Sequence, residues 1–186
     1  ALEGGHTLPR IIHAADANNW QGMTDLAKKY KAPLAVVADG DLAALADLAQ
    51  QVKTASVEDI VLDPGARGVH NALTLNTQIR RLALKNFRPL GYPTILFAGD
   101  GAASPGEETV LAAQGIAKYA GFVVVDNASA ASAYPLLTLR QNIYTDPQKP
   151  IQVQPGIYEL NSPKPTSPVL ISTNFSITYF SVATEV

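Results

Sequence analysis

Apolar residues along this chain fall into short unbroken runs, separated by longer stretches in which they recur every third or fourth position. A continuous apolar run of four or five residues reads as a strand buried on both faces, and recurrence at helical spacing reads as an amphipathic helix. Six runs stand out: Arg10-Ile11-Ile12-His13-Ala14, Leu34-Ala35-Val36-Val37, Asp59-Ile60-Val61-Leu62, Thr94-Ile95-Leu96-Phe97, Phe122-Val123-Val124-Val125 and Ile151-Gln152-Val153. Their starts lie about 25 to 35 residues apart, the repeat expected of successive βα units.

The intervening stretches predict helices with suitable ends. Asn18-Asn19 precede Trp20, Met23, Leu26, Ala27 and Tyr30, and Asp41 opens a second helix carrying Leu42, Leu45, Leu48, Ala49 and Val52. A third covers 71–85, where Arg80-Arg81 near the end suit the helix dipole; Glu107 and Glu108 suit the first turn of a fourth. Ser129 or Ser132 caps a fifth containing Leu136, Leu137, Leu139 and Ile143, so Pro135 is expected in its first turn, where proline is tolerated.

Strands alternating with helices predict an α/β fold with a parallel sheet, and the even spacing favours a partial TIM (β/α)8 barrel of about six βα units. Three prolines within 161–168 predict an extended linker. Val169-Leu170-Ile171-Ser172 then restarts as a strand and Phe175 onward as a helix, the first βα unit of another domain. The expected organisation is therefore a barrel domain over 1–160, a linker over 161–168 and a second domain starting at 169–186. The chain opens on Ala1 rather than methionine and ends at Val186 within a predicted helix, so we expect a piece of a longer protein lacking its first barrel units.

Composition narrows the partners. Of 186 residues 47% are apolar and 16% charged, with a formal net charge of −2; this fits a globular chain and argues against nucleic acid as the main partner. No apolar run approaches the roughly 20 residues that span a bilayer, so no membrane is expected and the cytoplasm is the default location. With no cysteine, the chain has no disulfide, thiolate metal site or cysteine nucleophile.

Ligands of parallel barrels bind at the strand C-termini. The polar residues there are Asp16, Asp39, Asp63, Asp100, Asp126, Asn127 and Gln154. Asp63 is distinctive because Ile60-Val61-Leu62 ends abruptly in Asp63-Pro64-Gly65, a sequence that forces a sharp turn at the sheet rim. Any one of these residues also serves as an ordinary cap. No lysine lies within the strands to form a Schiff base, the three histidines form no His-x-His pair, and His13 reads as a core histidine. The residues alone give an acidic rim with no legible nucleophile.

Three stretches, "VLDPGARGVHNALTLNTQIRRLAL", "YPLLTLRQNIYTDPQKPIQVQPGIYEL" and "SPVLISTNFSITYFSV", resemble the large (gamma) subunit of the corrinoid iron–sulfur protein of CO dehydrogenase/acetyl-CoA synthase (acetyl-CoA decarbonylase/synthase) complexes. The resemblance covers nearly the whole chain. It implies a TIM barrel followed by the start of a Rossmann-like corrinoid-binding domain, with an iron–sulfur cluster in a preceding cysteine-rich domain. It implies a corrinoid (cobamide) cofactor that accepts a methyl group on cobalt from a methyl-pterin, through a separate pterin methyltransferase, and delivers it to acetyl-CoA synthase in the reductive acetyl-CoA (Wood–Ljungdahl) pathway. The partners implied are the small subunit, in a heterodimer, the methyltransferase and acetyl-CoA synthase. Such a chain is one component of a methyltransferase system and has no complete active site of its own.

Within that resemblance, Thr173, Asn174 and Phe175 are expected to face the corrinoid. The Asp-Pro-Gly turn also resembles the pterin-binding barrels of methyltransferases and dihydropteroate synthases. Asp63, Asp100, Asp126 and Asn127 then form either a vestigial rim, which we favour, or a working pterin site.

Overall fold

The chain alternates strand and helix from the first described residue because each apolar run is followed by a turn and a capped amphipathic segment. The computed structural model describes residues 10–145 and 152–185. Five strands form, β1 (Ile12–Ala15), β2 (Leu34–Val37), β3 (Ile60–Asp63), β4 (Ile95–Phe97) and β5 (Phe122–Val124). Each is followed by a helix: α1 (Trp20–Tyr30), α2 (Leu42–Thr54), α3 (Gly68–Leu84), α4 (Pro105–Ala117) and α5 (Ala130–Thr145); a 3-10 turn, Arg88–Leu90, precedes β4. A last helix, α6, spans Ser176–Glu185. Among the described residues no helix is long and apolar enough to cross a membrane.

Among the described residues the five strands pair in parallel. β1, β2 and β3 pair in that order, and β4 pairs with β5. An isolated parallel bridge, Leu62 with Thr94, and the Leu62 N–H to Pro93 carbonyl bond of 2.8 Å join the two groups. Strand order thus follows chain order with no reversal. Side chains alternate across a strand, and one set, Ile12, Leu34, Val36, Ile60 and Leu62, packs with Ala27 of α1, Leu45 and Val52 of α2 and Ile79 of α3. The other set, Ala35, Val61 and Ile95, packs with Ile11, Phe97 and Val124 and with no helix residue. The first three helices therefore cover the same face.

Caps explain the helix starts. The Asp41 carboxylate accepts from the N–H groups of Ala43 (2.9 Å) and Ala44 (3.0 Å). Ser104 accepts from Glu107 N–H (3.2 Å), while the Glu107 carboxylate accepts from Ala103 N–H (2.7 Å), with Pro105 in the first helical position. Ser129 and Ser132 bond reciprocally at the head of α5.

Four expectations need correction. Pro135 lies inside α5 rather than in its first turn; the helix begins at Ala130, where the serine pair caps it, so one interior hydrogen bond is forgone. The sixth run forms no parallel strand: Ile151 lies outside the described residues, and Gln152 makes only an isolated antiparallel bridge with Phe175. Val153 bonds across to Asn174 instead, its N–H donating to that carbonyl at 3.0 Å, and no described strand lies beside the run in parallel. Residues 169–172 are exposed and form no strand, since no described strand lies alongside to complete a ladder. The segment 161–168 is turned rather than extended, with Ser167 N–H donating to the Lys164 carbonyl at 2.9 Å.

The chain divides into two compact units, Ala1–Arg140 and Gln141–Val186. The parallel strands belong to the first and α6 to the second.

Candidate functional site

The polar network of the first unit begins at the Asp63-Pro64-Gly65 turn. Asp63 is the last residue of β3, and its side chain is wholly buried. Gly65 adopts φ +66°, which lets its N–H fold back onto the Asp63 carboxylate at 2.9 Å. A Cβ there would stand 2.6 Å from Asp39 Cα, so the turn also needs glycine for room.

Two further groups hold the same carboxylate. His13 Nε2, from β1, lies 2.8 Å from one oxygen, and Arg67, at the head of α3, lies 3.6 Å from the other. Arg67 also pairs with Asp100 through Nε at 2.8 Å. Phe97, at the end of β4, meets the His13 ring edge-on at 4.7 Å between centroids and lies under the Arg67 guanidinium at 5.5 Å. His13 and Arg67 side chains are each 37% exposed. The result is a chain running from His13, within β1, through Asp63 at the end of β3 and Arg67 at the head of α3, to Asp100 in the loop after β4. His13 is therefore an exposed residue paired with Asp63 and not the core histidine expected.

A second cluster fixes the turn after β5. Glu108, in the first turn of α4, is only 2% exposed. Its carboxylate accepts from the Asn127 side-chain amide (2.8 Å), from Asn127 N–H (3.3 Å) and from Asp126 N–H. The Asn127 amide, aided by the two backbone donors, holds the Glu108 carboxyl below its ordinary range against the opposing effect of burial. Ser132 donates to the Asn127 carbonyl at 2.8 Å. The Asp126 carboxylate fills the space beside Gly99, where any side chain would collide with it.

Parallel topology puts Asp63, Asp100, Asp126 and Asn127 at the same end of their strands, but two separate networks divide them. Asp16 caps its own turn, accepting from Asn18 N–H (2.7 Å) and Asn19 N–H (3.0 Å). Asp39 is exposed beside Gly65, and Gln154 belongs to the second unit. There Asn174 is pinned to Val153 from both sides: its carbonyl accepts from Val153 N–H at 3.0 Å, and its amide donates to the Val153 carbonyl at 3.2 Å. Thr173 and Phe175 are exposed.

Sequence reasoning missed His13, Arg67 and Glu108 as members of these networks. The i, i+4 spacing of Asp63 and Arg67 was the legible signal for one of them. Nothing local announces His13, fifty residues from its partner, and the first-turn position of Glu108 has an ordinary dipole explanation.

Known proteins match along the whole chain. Residues 1–186 match the family model described as CO dehydrogenase/acetyl-CoA synthase delta subunit. The chain is 42% identical over its full length to the corrinoid/iron-sulfur protein large subunit of Moorella thermoacetica, of which the match covers 41%. It is 34% identical, again over its full length, to the acetyl-CoA decarbonylase/synthase complex subunit gamma of Methanosarcina acetivorans, covering 42% of it. With the subunit gamma of Archaeoglobus fulgidus it shares 35% identity over 94% of this chain and 40% of that protein. The chain thus spans about two fifths of the length of these curated relatives. By the family match along all of its length, this chain belongs to the CO dehydrogenase/acetyl-CoA synthase delta subunit family, and its relatives there include corrinoid/iron-sulfur large and gamma subunits.

Proposed function

We propose that this chain is part of a cytoplasmic corrinoid iron–sulfur methyl-carrier subunit. That protein accepts a methyl group on cobalt from a methyl-pterin, through a separate methyltransferase, and hands it to acetyl-CoA synthase in the reductive acetyl-CoA pathway. The observation that carries this reading is the 42% identity, along the entire chain, to a corrinoid/iron-sulfur protein large subunit. Its partners on this reading are a small subunit, the methyltransferase and acetyl-CoA synthase.

The first unit is read as consecutive units of a TIM barrel. Strand order equal to chain order supports this, as do α1, α2 and α3 packing on one face while Ala35, Val61 and Ile95 cluster on the other. A doubly wound sheet would reverse its strand order and cover both faces with helices.

The barrel rim acts as structure rather than as a pterin site. Asp63 is fully buried, with both oxygens engaged by His13, Gly65 and Arg67. Asp100 is spent on Arg67, and the Asn127 amide on Glu108. A pterin ring needs free acceptors and donors converging on one space, and with Asp63, Asp100 and the Asn127 amide committed to other side chains, only the exposed Asp126 carboxylate beside Gly99 is left to offer.

The cofactors divide by donor chemistry. A chain without cysteine has no thiolate for an iron–sulfur cluster, so that group is held by other residues of the complete protein. For the corrinoid, the exposed Thr173 hydroxyl and Phe175 ring are suited to a polar and an apolar contact, whereas the Asn174 amide is committed to Val153. Asn174 therefore sets the loop and Thr173 and Phe175 contact the cofactor, which supplies the cobalt that carries the methyl group. Thr173→Ala with Asn174→Ala in the full-length protein is expected to lower cobamide occupancy, measured by cobalt content and visible absorbance, while leaving the barrel folded. Full occupancy and unchanged methyl transfer would assign the stretch to helix capping alone; a wild-type protein that binds no cobamide would overturn the function.

A further inference from the structure

At the pole of the first unit opposite Asp63, α2 and α3 end and the Arg88–Leu90 turn leads into β4. A cleft of about 620 Å³ opens there, within the range of small-molecule sites. Lys53, Arg80 and Arg88 line it, with the amide of Asn86 and the rings of Phe87 and Tyr92, and no carboxylate contributes to its wall. In a chain with 16 acidic against 14 basic residues, three cations around one space are a local excess of positive charge.

Ordinary structural roles account for part of that excess. Lys53 lies in the last turn of α2, where a cation complements the dipole, and it pairs with Glu58 at 3.2 Å. Arg80 lies over the Tyr119 ring at 6.0 Å and makes no ion pair among the described residues. Arg88 opens its 3-10 turn, the end at which a cation gains nothing from backbone dipoles, and it has no ion-pair partner among the described residues. Beside it Phe87 is 43% exposed, although an aromatic ring normally gains by burial. Two guanidinium groups without acids next to a half-exposed ring match a ligand that carries both phosphates and a planar ring.

We propose that this cleft binds a nucleotide-sized ligand, its phosphates held by Arg80 and Arg88 and its ring laid against Phe87 and Tyr92. The proposal is independent of the methyl-carrier reading, which concerns the other pole and the second unit.

Isothermal titration of ADP, pyrophosphate and adenosine into the full-length protein tests it. We expect saturable binding of ADP that weakens with ionic strength, with pyrophosphate and adenosine each weaker by about tenfold or more. Arg80→Gln with Arg88→Gln is expected to weaken ADP by at least about tenfold, and Phe87→Ala to narrow the gap between ADP and pyrophosphate. Arg81→Gln, which removes a neighbouring cation outside the cleft wall, is expected to leave binding unchanged. The absence of saturable ADP binding, equal affinity for ADP and pyrophosphate, or a double variant that binds as wild type with unchanged melting temperature would overturn the proposal.

Discussion

Replacing Asp63 with asparagine removes one negative charge from a wholly buried position while keeping nearly the same shape. The amide oxygen still accepts from Gly65 N–H, so the turn keeps its internal bond. What is lost is the charge-assisted bond to His13 at 2.8 Å and the attraction of Arg67 at 3.6 Å. A hydrogen bond to a charged group contributes roughly 1.5–3 kcal/mol, and breaking a fully buried ion pair costs about 3–5 kcal/mol. Here both partners are 37% exposed and regain water, which brings the expected loss to about 2 kcal/mol. For a unit of this size that lowers the melting temperature by about 4–8 °C. Calorimetry of the full-length protein, following the transition of the unit that holds Asp63, gives the value. A cycle with His13→Ala then isolates the contact, with an expected coupling of at least about 1 kcal/mol. Additivity of the two substitutions within about 0.5 kcal/mol would refute the claim that this pair ties β1 to β3.

Three further outcomes follow from the same geometry. Gly65→Ala places a Cβ 2.6 Å from the Asp39 backbone at a positive φ, and is expected to destabilise by at least about 2 kcal/mol in denaturant unfolding; a neutral result would mean the turn has another shape. Leu62→Ala, at a fully buried position between β3 and the helices, is expected to cost about 3–5 kcal/mol in the same assay. Glu108 has a folded-state pKa below its unfolded value, so its ionised carboxylate stabilises the fold above the unfolded pKa of about 4.3, and that contribution fades as pH falls through the lower folded value. The stability gap between wild type and Glu108→Gln is accordingly expected to be full at neutral pH and to shrink below about pH 4.3; a gap that widens on acidification would reverse the sign of the argument.

Five of the six strands and the helices between them were legible because buried parallel strands and amphipathic helices impose different periods on the same apolar residues. Asp41 and Ser129 signalled their caps for the same local reason. The sixth run and 169–172 failed for one reason, that a strand is stabilised by a neighbour alongside it, which sequence pattern does not reveal. The candidate site was half legible. Asp63 stood out through its turn, but its partner His13 comes from another strand, and such a pairing becomes visible only when β1 and β3 are brought into one sheet. Glu108 was hidden for a different reason, since a glutamate in a first helical turn looks the same whether it faces solvent or holds a neighbouring loop.

The most direct test of the central claim, a methyl carrier whose barrel rim is structural, is to incubate the reduced full-length protein with radiolabelled methyl-pterin and count the label it retains. Label is expected only when the separate methyltransferase is present, with its release on addition of acetyl-CoA synthase. Label acquired with the methyltransferase left out, and abolished by Asp63→Ala in a variant that still folds, would show a working pterin site in the barrel and contradict that claim.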